Sequence, residues 1–248
     1  MGVANSLRKL VIIPVYGQVG TIGKVLSKFG DPAVDEICLV VDCPTESILR
    51  EIRVAGREIE IPIRIIQNSR RMGVGYAIRE GIEYALSHGF DIIVVMAGND
   101  KDDPREISRL LNPIVKEGYD YVQGSRFLPG GRRIKNPILR GIFSLLYPFI
   151  WTLLTSVKCT DVTNGFRAYK TTIFDDENIN IWQSWLNGYS LEYYIHYKVL
   201  TASYKTKEVP VSKVYPYRHK GGYSMIVPLR DWWDILRPLI YLSLNLKR

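Results

Sequence analysis

The chain has 248 residues, of which 46% are hydrophobic and 23% are charged, and this composition excludes the disordered and fibrous classes of protein. Its 33 lysine and arginine residues exceed its 25 aspartate and glutamate residues, so the formal net charge of +8 indicates an anionic partner. A phosphorylated substrate, an acidic membrane surface and a nucleic acid all meet that condition. The cysteines Cys38, Cys43 and Cys159 lack the spacing of a metal or redox site, which favours reduced thiols in the cytosol.

Strands and helices alternate through the first half of the chain. Apolar runs predict strands at residues 10–15, 36–41, 63–67, 92–96 and 121–123. Helices are predicted at residues 21–29, 74–86 and 104–117, with Asp103 as the cap of the last one, and Thr45 is expected to cap a further helix. Strands that alternate with helices predict a parallel, Rossmann-like sheet with right-handed crossovers.

The second half contains two apolar and aromatic segments. Residues 137–157 approach the length of a membrane span, but Arg140 near one end and Pro148 in the middle argue against a span. We expect a broken helix on a membrane surface or beneath a lipid acceptor, with a buried pair of core helices as the alternative. Further along, a helix is predicted at residues 190–202, a strand at 206–211 and a second aromatic helix at 229–242.

Polar side chains follow three of the predicted strands, at the point where each strand ends. Asp42 and Asn68 follow the second and third strands, and Asn99 and Asp100 lie in the polar loop after the fourth strand. Each residue alone is as readily explained by an ordinary turn. Because ligands of open α/β sheets bind outside the carboxyl ends of the strands, the three positions together indicate a binding pocket.

Seven short blocks occur in order along the chain with regular spacing. They are Ile13-Pro-Val-Tyr16, Val40-Val-Asp42, the block from Asn68 to Gly81, Gly124-Ser-Arg-Phe127, the block from Asp161 to Tyr169, Gly188-Tyr-Ser-Leu-Glu192 and Glu208-Val-Pro-Val211. Together they resemble the family 2 glycosyltransferases of the GT-A fold, in particular the branch of dolichol-phosphate mannose synthases and polyprenyl-phosphate glycosyltransferases. The resemblance covers residues 10–223. Gly73-Val-Gly75 alone is only half of a dinucleotide fingerprint and carries little weight.

The resemblance implies an α/β protein of the GT-A fold, with a Rossmann-like, mostly parallel sheet flanked by helices. It implies a glycosyltransferase domain over residues 1–228, in which residues 137–157 are interfacial or acceptor-side helices, and a C-terminal amphipathic aromatic helix at 229–248. The implied activity is inverting transfer of a sugar from a UDP- or GDP-linked donor to a polyprenyl phosphate of the dolichyl type. Such an enzyme is expected in the cytoplasm, peripherally attached to the cytoplasmic face of a membrane.

Several side chains receive roles when the motifs are matched residue by residue. Donor binding falls to Pro14, Tyr16, Asp42, Asn68, Gly73, Asn99, Asp100 and Lys101. Acceptor-phosphate binding falls to Arg126, Arg140 and Arg218, and catalytic roles fall to Asn99, Arg126 and Glu192. Gln18 stands where relatives commonly have glutamate. A phosphate acceptor is already anionic, so its attack on the anomeric carbon requires alignment and charge neutralisation rather than a base.

The central loop departs from the metal motif of the family. Relatives place Asp-x-Asp, often followed after one residue by Gln, where this chain has Ala97-Gly-Asn99-Asp-Lys101. Mg²⁺ or Mn²⁺, if bound, would fall to Asn99, Asp100 and Asp102, yet the alanine and the amide remove much of the negative charge that a divalent cation requires. Lys101 is a candidate substitute that would neutralise the donor pyrophosphate, unless its side chain points into solvent. The loop predicts donor binding that depends weakly, or not at all, on metal.

Three alternatives compete with transfer to a lipid phosphate. A hydroxyl acceptor on a glycan or glycolipid would require a general base, for which Glu192 is the candidate. The altered metal motif also fits a non-catalytic relative that binds nucleotide sugars or lipid phosphates. A nucleic-acid binder rests on charge alone, and the chain lacks RNP-type aromatic residues and a recognisable recognition helix, so no nucleic-acid partner is expected.

Overall fold

The computed structural model describes residues 6–30, 33–135, 138–215 and 230–247. The strands in these ranges are β1 (Lys9–Val15), β2 (Glu36–Asp42), β3 (Ile63–Asn68), β4 (Ile92–Val95), β5 (Tyr121–Ser125), β6 (Arg132–Ile134), β7 (Arg167–Lys170), β8 (Thr206–Pro210) and β9 (Ser212–Val214). The α-helices are α1 (Ile22–Leu26), α2 (Glu46–Gly56), α3 (Val74–Ser87), α4 (Ile107–Glu117), α5 (Ile138–Thr155), α6 (Ser190–Thr201) and α7 (Arg230–Ser243). Arg218 and the side chain of Arg140, two predicted phosphate ligands, lie outside the described residues.

The main sheet of the described residues has the order β3-β2-β1-β4-β7-β5-β8, and β6 pairs with β9 in a separate two-stranded sheet. β7 runs antiparallel to both β4 and β5, whereas the other neighbours in the main sheet are parallel. The predicted mostly parallel, Rossmann-like sheet is therefore confirmed. The sequence pattern does not predict β6, β7 or β9, because strands of three or four residues are too short to show a clear alternation.

Both faces of the main sheet are buried, which explains the unbroken apolar runs in its central strands. Along β1, Val11, Ile13 and Val15 belong to the hydrophobic cluster shared with α1, α2 and α4. Leu10 and Ile12 belong to the cluster shared with α3 and α6. Successive side chains of one strand point to opposite faces, so β1 contributes to both layers of the core.

Helix starts agree with the predicted caps at two positions, and one helix is shorter than predicted. The Thr45 side chain accepts a hydrogen bond at 3.3 Å from the backbone amide three residues later, at the start of α2. Asp103 likewise accepts one at 3.1 Å at the start of the short 3₁₀ turn that leads into α4. α1 ends at Leu26 instead of residue 29, because the chain continues with turn-forming hydrogen bonds between residues three apart.

α5 is one continuous helix, so the predicted break at Pro148 is wrong. A proline inside a helix removes one backbone hydrogen bond and normally kinks the axis. Here Tyr147 and Trp151, which lie on either side of Pro148, are both buried in a cluster with Val162 and Tyr193. Packing of these two large side chains against the domain stabilises α5 on both sides of the proline.

The opposite face of α5 is apolar and exposed. Its exposed side chains are Ile138, Ile142, Leu145, Leu146, Phe149, Ile150, Leu153 and Leu154. Phe149 and Leu153 are 71% and 72% exposed. The alternative of a buried pair of core helices is therefore wrong for this face. No helix in the described residues is long and apolar enough to cross a membrane.

α7 packs against α5 and α6 in the same hydrophobic cluster. Ile235 and Leu239 are buried there beside Tyr147 and Trp151. The Tyr147 hydroxyl donates a hydrogen bond at 3.0 Å to the backbone carbonyl of Ile235. α7 thus lies against α5 and α6.

Candidate active site

A cavity of about 540 Å³ opens at the carboxyl ends of β1, β2 and β4. Of the predicted site residues, its wall contains Pro14, Tyr16, Asp42, Gly73, Asn99, Lys101, Asp102, Arg126 and Glu192. Asn68 and Asp100 do not reach the wall in the described part of the chain. Parallel strands end at one edge of the sheet, which is why residues from such distant blocks meet in one pocket.

Asp42 ends β2 and holds the loop that follows β3. Its Oδ2 accepts hydrogen bonds at 2.8 and 2.9 Å from the backbone amides of Met72 and Gly73, and its Oδ1 accepts one at 3.0 Å from the Asn68 side chain. Asn68 also donates to Glu80 at 2.6 Å. Burial raises the pKa of the Glu80 carboxyl, and the hydrogen bond from Asn68 opposes that effect. Asn68 therefore lies behind the cavity wall, where its side chain orients the Asp42 carboxylate.

Gly73 and Gly75 permit a close approach of two backbone segments. A Cβ atom on Gly75 would lie 2.1 Å from the carbonyl oxygen of Leu186 and 2.3 Å from that of Gly188. Gly73 has a φ of +104°, and a Cβ there would lie 2.5 Å from the carbonyl oxygen of Asn187. The Gly-Val-Gly sequence thus serves packing between the start of α3 and residues 186–188, which also line the cavity at Asn187 and Gly188.

Tyr16 and Arg71 form a stacked pair at the cavity wall. The Arg71 guanidinium lies 4.6 Å from the centre of the Tyr16 ring. Arg71 also lines the cavity; in the sequence it is one of several arginines whose forked donors suit phosphate oxygens, but no family motif assigns it a role. Planar guanidinium and aromatic groups together offer both a stacking surface and donors for oxygen atoms, which suits a nucleotide.

Two buried amide oxygens lie near this pair. Gln18 Oε1 and Asn99 Oδ1 make no hydrogen bond within the residues that the structure describes. A Cβ atom on Gly98 would lie 2.5 Å from Gln18 Oε1. Because glycine has no side chain, position 98 leaves room for the Gln18 side chain beside the central loop. Buried polar atoms of this kind favour a site that accepts a polar ligand, because an unmet hydrogen-bonding group is costly to bury.

The two aspartates after Asn99 face different partners. Asp100 has a φ of +59° and forms an ion pair with Lys28, away from the cavity wall. Asp102 is buried, and its Oδ1 lies 2.8 Å from Lys213 Nζ while its Oδ2 accepts from the Ala97 amide at 3.2 Å. The carboxylates of the loop are thus both engaged by lysines.

The residues of this loop do not fit a divalent metal. Within the described ranges, no group of three or more His, Cys, Asp or Glu side chains is placed to hold a metal ion. Asn99 supplies a neutral oxygen, and Asp102, which also lines the wall, already faces the ammonium group of Lys213. Mg²⁺ is usually bound through one or two carboxylates together with substrate phosphates, and Asp100 and Asp102 of this loop both face lysines instead.

Lys101 points into the protein and not into solvent. The residue is only 4% exposed, and its Nζ lies 5.6 Å from the centre of the Tyr215 ring. Its backbone carbonyl accepts a hydrogen bond at 3.0 Å from Val214 in β9. The same strand brings Lys213 to the cavity, a residue that the sequence analysis does not single out. Its sequence signal is its position two residues after the Glu208–Val211 block.

Arg126 is held by protein partners on several sides. Its side chain donates two hydrogen bonds at 2.7 Å to the Asp161 carboxylate, one at 2.7 Å to the Tyr215 hydroxyl and one at 2.6 Å to Thr163. The side chains of Arg126 and Asp161 are 2% and 0% exposed. This geometry joins the end of β5 to the loop before β7, and Arg126 itself forms part of the cavity wall.

Glu192 lies in the first turn of α6 and lines the cavity. Its Oε1 would lie 2.6 Å from a Cβ atom on Gly165, so a glycine at 165 leaves space for the carboxyl group. Burial raises the pKa of the Glu192 carboxyl, whereas the positive charges of Arg167 and Lys213 oppose that rise. A carboxyl with a raised pKa is suited to proton transfer at neutral pH.

α7 forms one side of the cavity, which the sequence analysis does not predict. The helix contributes Asp231, Trp232, Asp234 and Ile235 to the wall. Asp234 accepts a hydrogen bond at 2.6 Å from the Ser190 hydroxyl and forms an ion pair with Arg237. These contacts attach α7 to the start of α6, next to Glu192.

A family model described as glycosyl transferase family 2 matches residues 10–177, which is more than half of the chain. The chain is 26% identical over 211 residues to an undecaprenyl-phosphate mannosyltransferase of Micrococcus luteus, covering 84% of each protein. It is 24% identical over 241 residues to a UDP-N-acetylglucosamine–dolichyl-phosphate N-acetylglucosaminyltransferase of Methanococcus voltae, covering 91% of this chain and 94% of that protein.

Solved structures with the same fold include glucosyl-3-phosphoglycerate synthase from Mycobacterium tuberculosis. Its complex with uridine diphosphate matches with a TM-score of 0.64 at 16% identity, covering 97% of this chain and 80% of that one. Its complex with Mn²⁺, UDP-glucose and phosphoglyceric acid gives a TM-score of 0.64 at 16% identity, covering 97% and 79%. At this level of identity the likeness concerns the fold alone, and it confirms the predicted GT-A fold.

Replacing Arg126 by methionine tests its position in the fold. We expect Arg126→Met to lower the free energy of unfolding by about 3–5 kcal/mol, because Asp161 would remain buried without its charge partner. Urea denaturation measures this loss. The control is Arg53→Met, which removes an exposed ion pair with Glu46 and is expected to cost less than about 1 kcal/mol. An Arg126→Met protein of unchanged stability would contradict the structural role and favour a direct phosphate contact.

Proposed function

This chain belongs to the glycosyl transferase family 2, and we propose that it transfers a sugar from a nucleoside diphosphate donor to a polyprenyl phosphate at a membrane surface. It is an enzyme, a glycosyltransferase. The observation that carries the proposal is the cavity at the carboxyl ends of β1, β2 and β4, which α5 borders with one face while it exposes an apolar face on the other.

The donor side of the cavity is formed by the first half of the chain. In this proposal the nucleoside binds beside Tyr16, whose ring contacts the Arg71 guanidinium. It also contacts Asp42, which accepts hydrogen bonds from the backbone amides of residues 72 and 73. The relative from M. voltae is named for a UDP-linked donor, and the structural neighbour was crystallised with uridine diphosphate. UDP is therefore the first nucleotide to test, and GDP the second.

The acceptor side is formed by α5, α6 and α7. Relatives from two organisms are named for undecaprenyl phosphate and dolichyl phosphate. Phe143 and Ser144 of α5 line the cavity, so the helix reaches from the site to the exposed apolar face defined above. A long isoprenoid chain could follow this apolar surface while its phosphate enters the cavity.

The reaction follows from the charge of this acceptor. A phosphate oxygen attacks the anomeric carbon, the bond from that carbon to the donor diphosphate breaks, and the electron pair leaves on the diphosphate oxygen. The protein aligns the two phosphates and neutralises their charges. The attack inverts the configuration at the anomeric carbon, and no proton needs to be removed from the acceptor.

Membrane contact is assigned to the exposed face of α5 and the cations at its ends. Arg132, Arg133 and Lys135 precede the helix and Lys158 follows it, and all four are exposed. Exposed apolar side chains flanked by basic residues are typical of helices that lie at the surface of anionic membranes. We assign the protein to the cytoplasmic face of a membrane, as a peripheral protein.

A second candidate function is transfer to a hydroxyl group on a glycan or glycolipid. The raised pKa of Glu192 and its place at the cavity wall favour this alternative, because a hydroxyl acceptor requires a general base. The two candidates differ in their dependence on Glu192 and can be separated by a single substitution.

Donor binding is tested by isothermal titration calorimetry with UDP and GDP. We expect one of them to bind, and Asp42→Ala to weaken that binding by at least about tenfold, equivalent to about 1.4 kcal/mol. The loss follows because the substitution removes a nucleoside ligand and releases the amides of residues 72 and 73. Glu80→Gln, behind the wall, is the control and should bind normally. Unchanged affinity in Asp42→Ala would remove Asp42 from the donor site.

The acceptor class is tested with Glu192→Gln, measured with a polyprenyl phosphate as acceptor. We expect less than about a tenfold loss of kcat, since general-base catalysis contributes about 10²–10⁴-fold where it operates. A larger loss would favour the hydroxyl acceptor. In that case the wild-type rate should fall as the pH falls through the raised pKa of Glu192, because only the deprotonated carboxylate can act as the base.

Membrane contact is tested by flotation with vesicles that contain anionic lipid. We expect the wild type to float at low salt, and the double substitution Phe149→Ser/Leu153→Ser to reduce the bound fraction by at least about tenfold, because two apolar side chains are lost from the interface. The control is Val54→Ser/Val115→Ser, which changes exposed apolar residues on α2 and α4. Wild-type protein that remains at the bottom of the gradient would contradict the membrane assignment.

A further inference from the structure

Lys101 and Lys213 approach the cavity from two adjoining backbone segments. Lys101 lies in the loop after β4, and Lys213 lies in β9. The backbone amide of Val214 donates a hydrogen bond at 3.0 Å to the carbonyl of Lys101, which fixes the two segments side by side. The two lysines are 4% and 8% exposed, and both line the cavity. Two lysines that are this well buried beside one cavity require anionic or polar partners.

Protein groups hold each lysine in a defined position. Lys213 Nζ lies 2.8 Å from Asp102 Oδ1 and donates to Asn164 Oδ1 at 2.9 Å. Lys101 Nζ lies over the ring of Tyr215, whose hydroxyl accepts a hydrogen bond from Arg126 at 2.7 Å. The ammonium groups are therefore placed by the fold before any ligand binds.

Three cationic side chains reach one part of the cavity wall. Lys101 and Arg126 contact Tyr215, Lys213 pairs with Asp102, and Arg126 pairs with Asp161. The wall also carries the carboxylates Asp42, Asp231 and Asp234. A diphosphate is the anionic part of the proposed donor, and an ammonium group offers three hydrogen-bond donors to its oxygen atoms.

We propose that Lys101 and Lys213 bind the donor diphosphate in place of a divalent metal, an inference that rests on the proposed function. Asp100 and Asp102 of the loop face Lys28 and Lys213, and the loop presents a buried lysine two residues after Asn99. As the bond between the sugar and the diphosphate breaks, the pair neutralises the charge that develops on the leaving oxygen. The lysines supply by fixed charge what a metal ion supplies as a Lewis acid.

The test is calorimetric titration with UDP, GDP and their nucleosides, in EDTA and then in Mn²⁺. We expect wild-type protein to bind one diphosphate in EDTA with an affinity within about threefold of that in Mn²⁺. Lys101→Gln should weaken diphosphate binding in EDTA by at least about tenfold and leave nucleoside binding unchanged, because only the phosphates lose a partner. Lys28→Gln is the matched control, since Lys28 pairs with Asp100 away from the cavity wall.

Lys213 is tested by a double substitution, because Lys213→Gln alone would leave Asp102 buried without its partner. Lys213→Gln/Asp102→Asn removes both charges, and thermal unfolding shows whether the protein remains folded. We expect the same selective loss of diphosphate affinity in a folded protein. If the double variant does not fold, Lys101→Gln alone decides the proposal.

The outcomes separate this inference from the proposed function. Diphosphate binding that requires Mn²⁺, or that is unchanged in EDTA by Lys101→Gln, overturns the role of the lysines and leaves the glycosyl-transfer proposal in place. Absence of binding by every nucleotide and nucleoside, with and without Mn²⁺, overturns both.

Discussion

The buried ion pair between Arg126 and Asp161 joins chain segments that border the cavity. Arg126 follows β5, Asp161 precedes β7, and the Tyr215 hydroxyl, after β9, accepts from the same guanidinium. A buried charge is tolerated only when its partner and hydrogen bonds are in place, so these segments must assemble together. Tyr215 then lies beneath Lys101, which links the structural pair to the donor side of the site.

In the proposal, lysines act at the central loop where the family resemblance implies carboxylates. Asp100 and Asp102 remain in the sequence, but each faces an ammonium group, from Lys28 and Lys213 respectively. Lys101 and Lys213 both line the cavity, where the proposal places the donor phosphates. Transfer to a phosphate acceptor needs charge neutralisation more than acid–base chemistry, and the two lysines meet that need in the proposal.

α5 connects the site to a surface of a different kind. One face supplies Tyr147 and Trp151 to the core and Phe143 and Ser144 to the cavity wall, while the other carries exposed apolar side chains. A helix with both faces apolar cannot satisfy both of them within a single domain, so one face requires a further apolar environment. An enzyme that takes a lipid-linked acceptor has use for such a face next to its cavity.

The sequence alone determined the central strands, α3 and the family, because unbroken apolar runs, helical periodicity and collinear motifs are local patterns. It also indicated that Asp42 and Asn99 meet at one edge of the sheet, since parallel strands end together. Only the tertiary structure decided that β7 enters between β4 and β5, that α5 continues through Pro148, and that Lys213 reaches the central loop. Each of these depends on packing or pairing between segments far apart in the chain, and no local pattern of residues encodes such a contact.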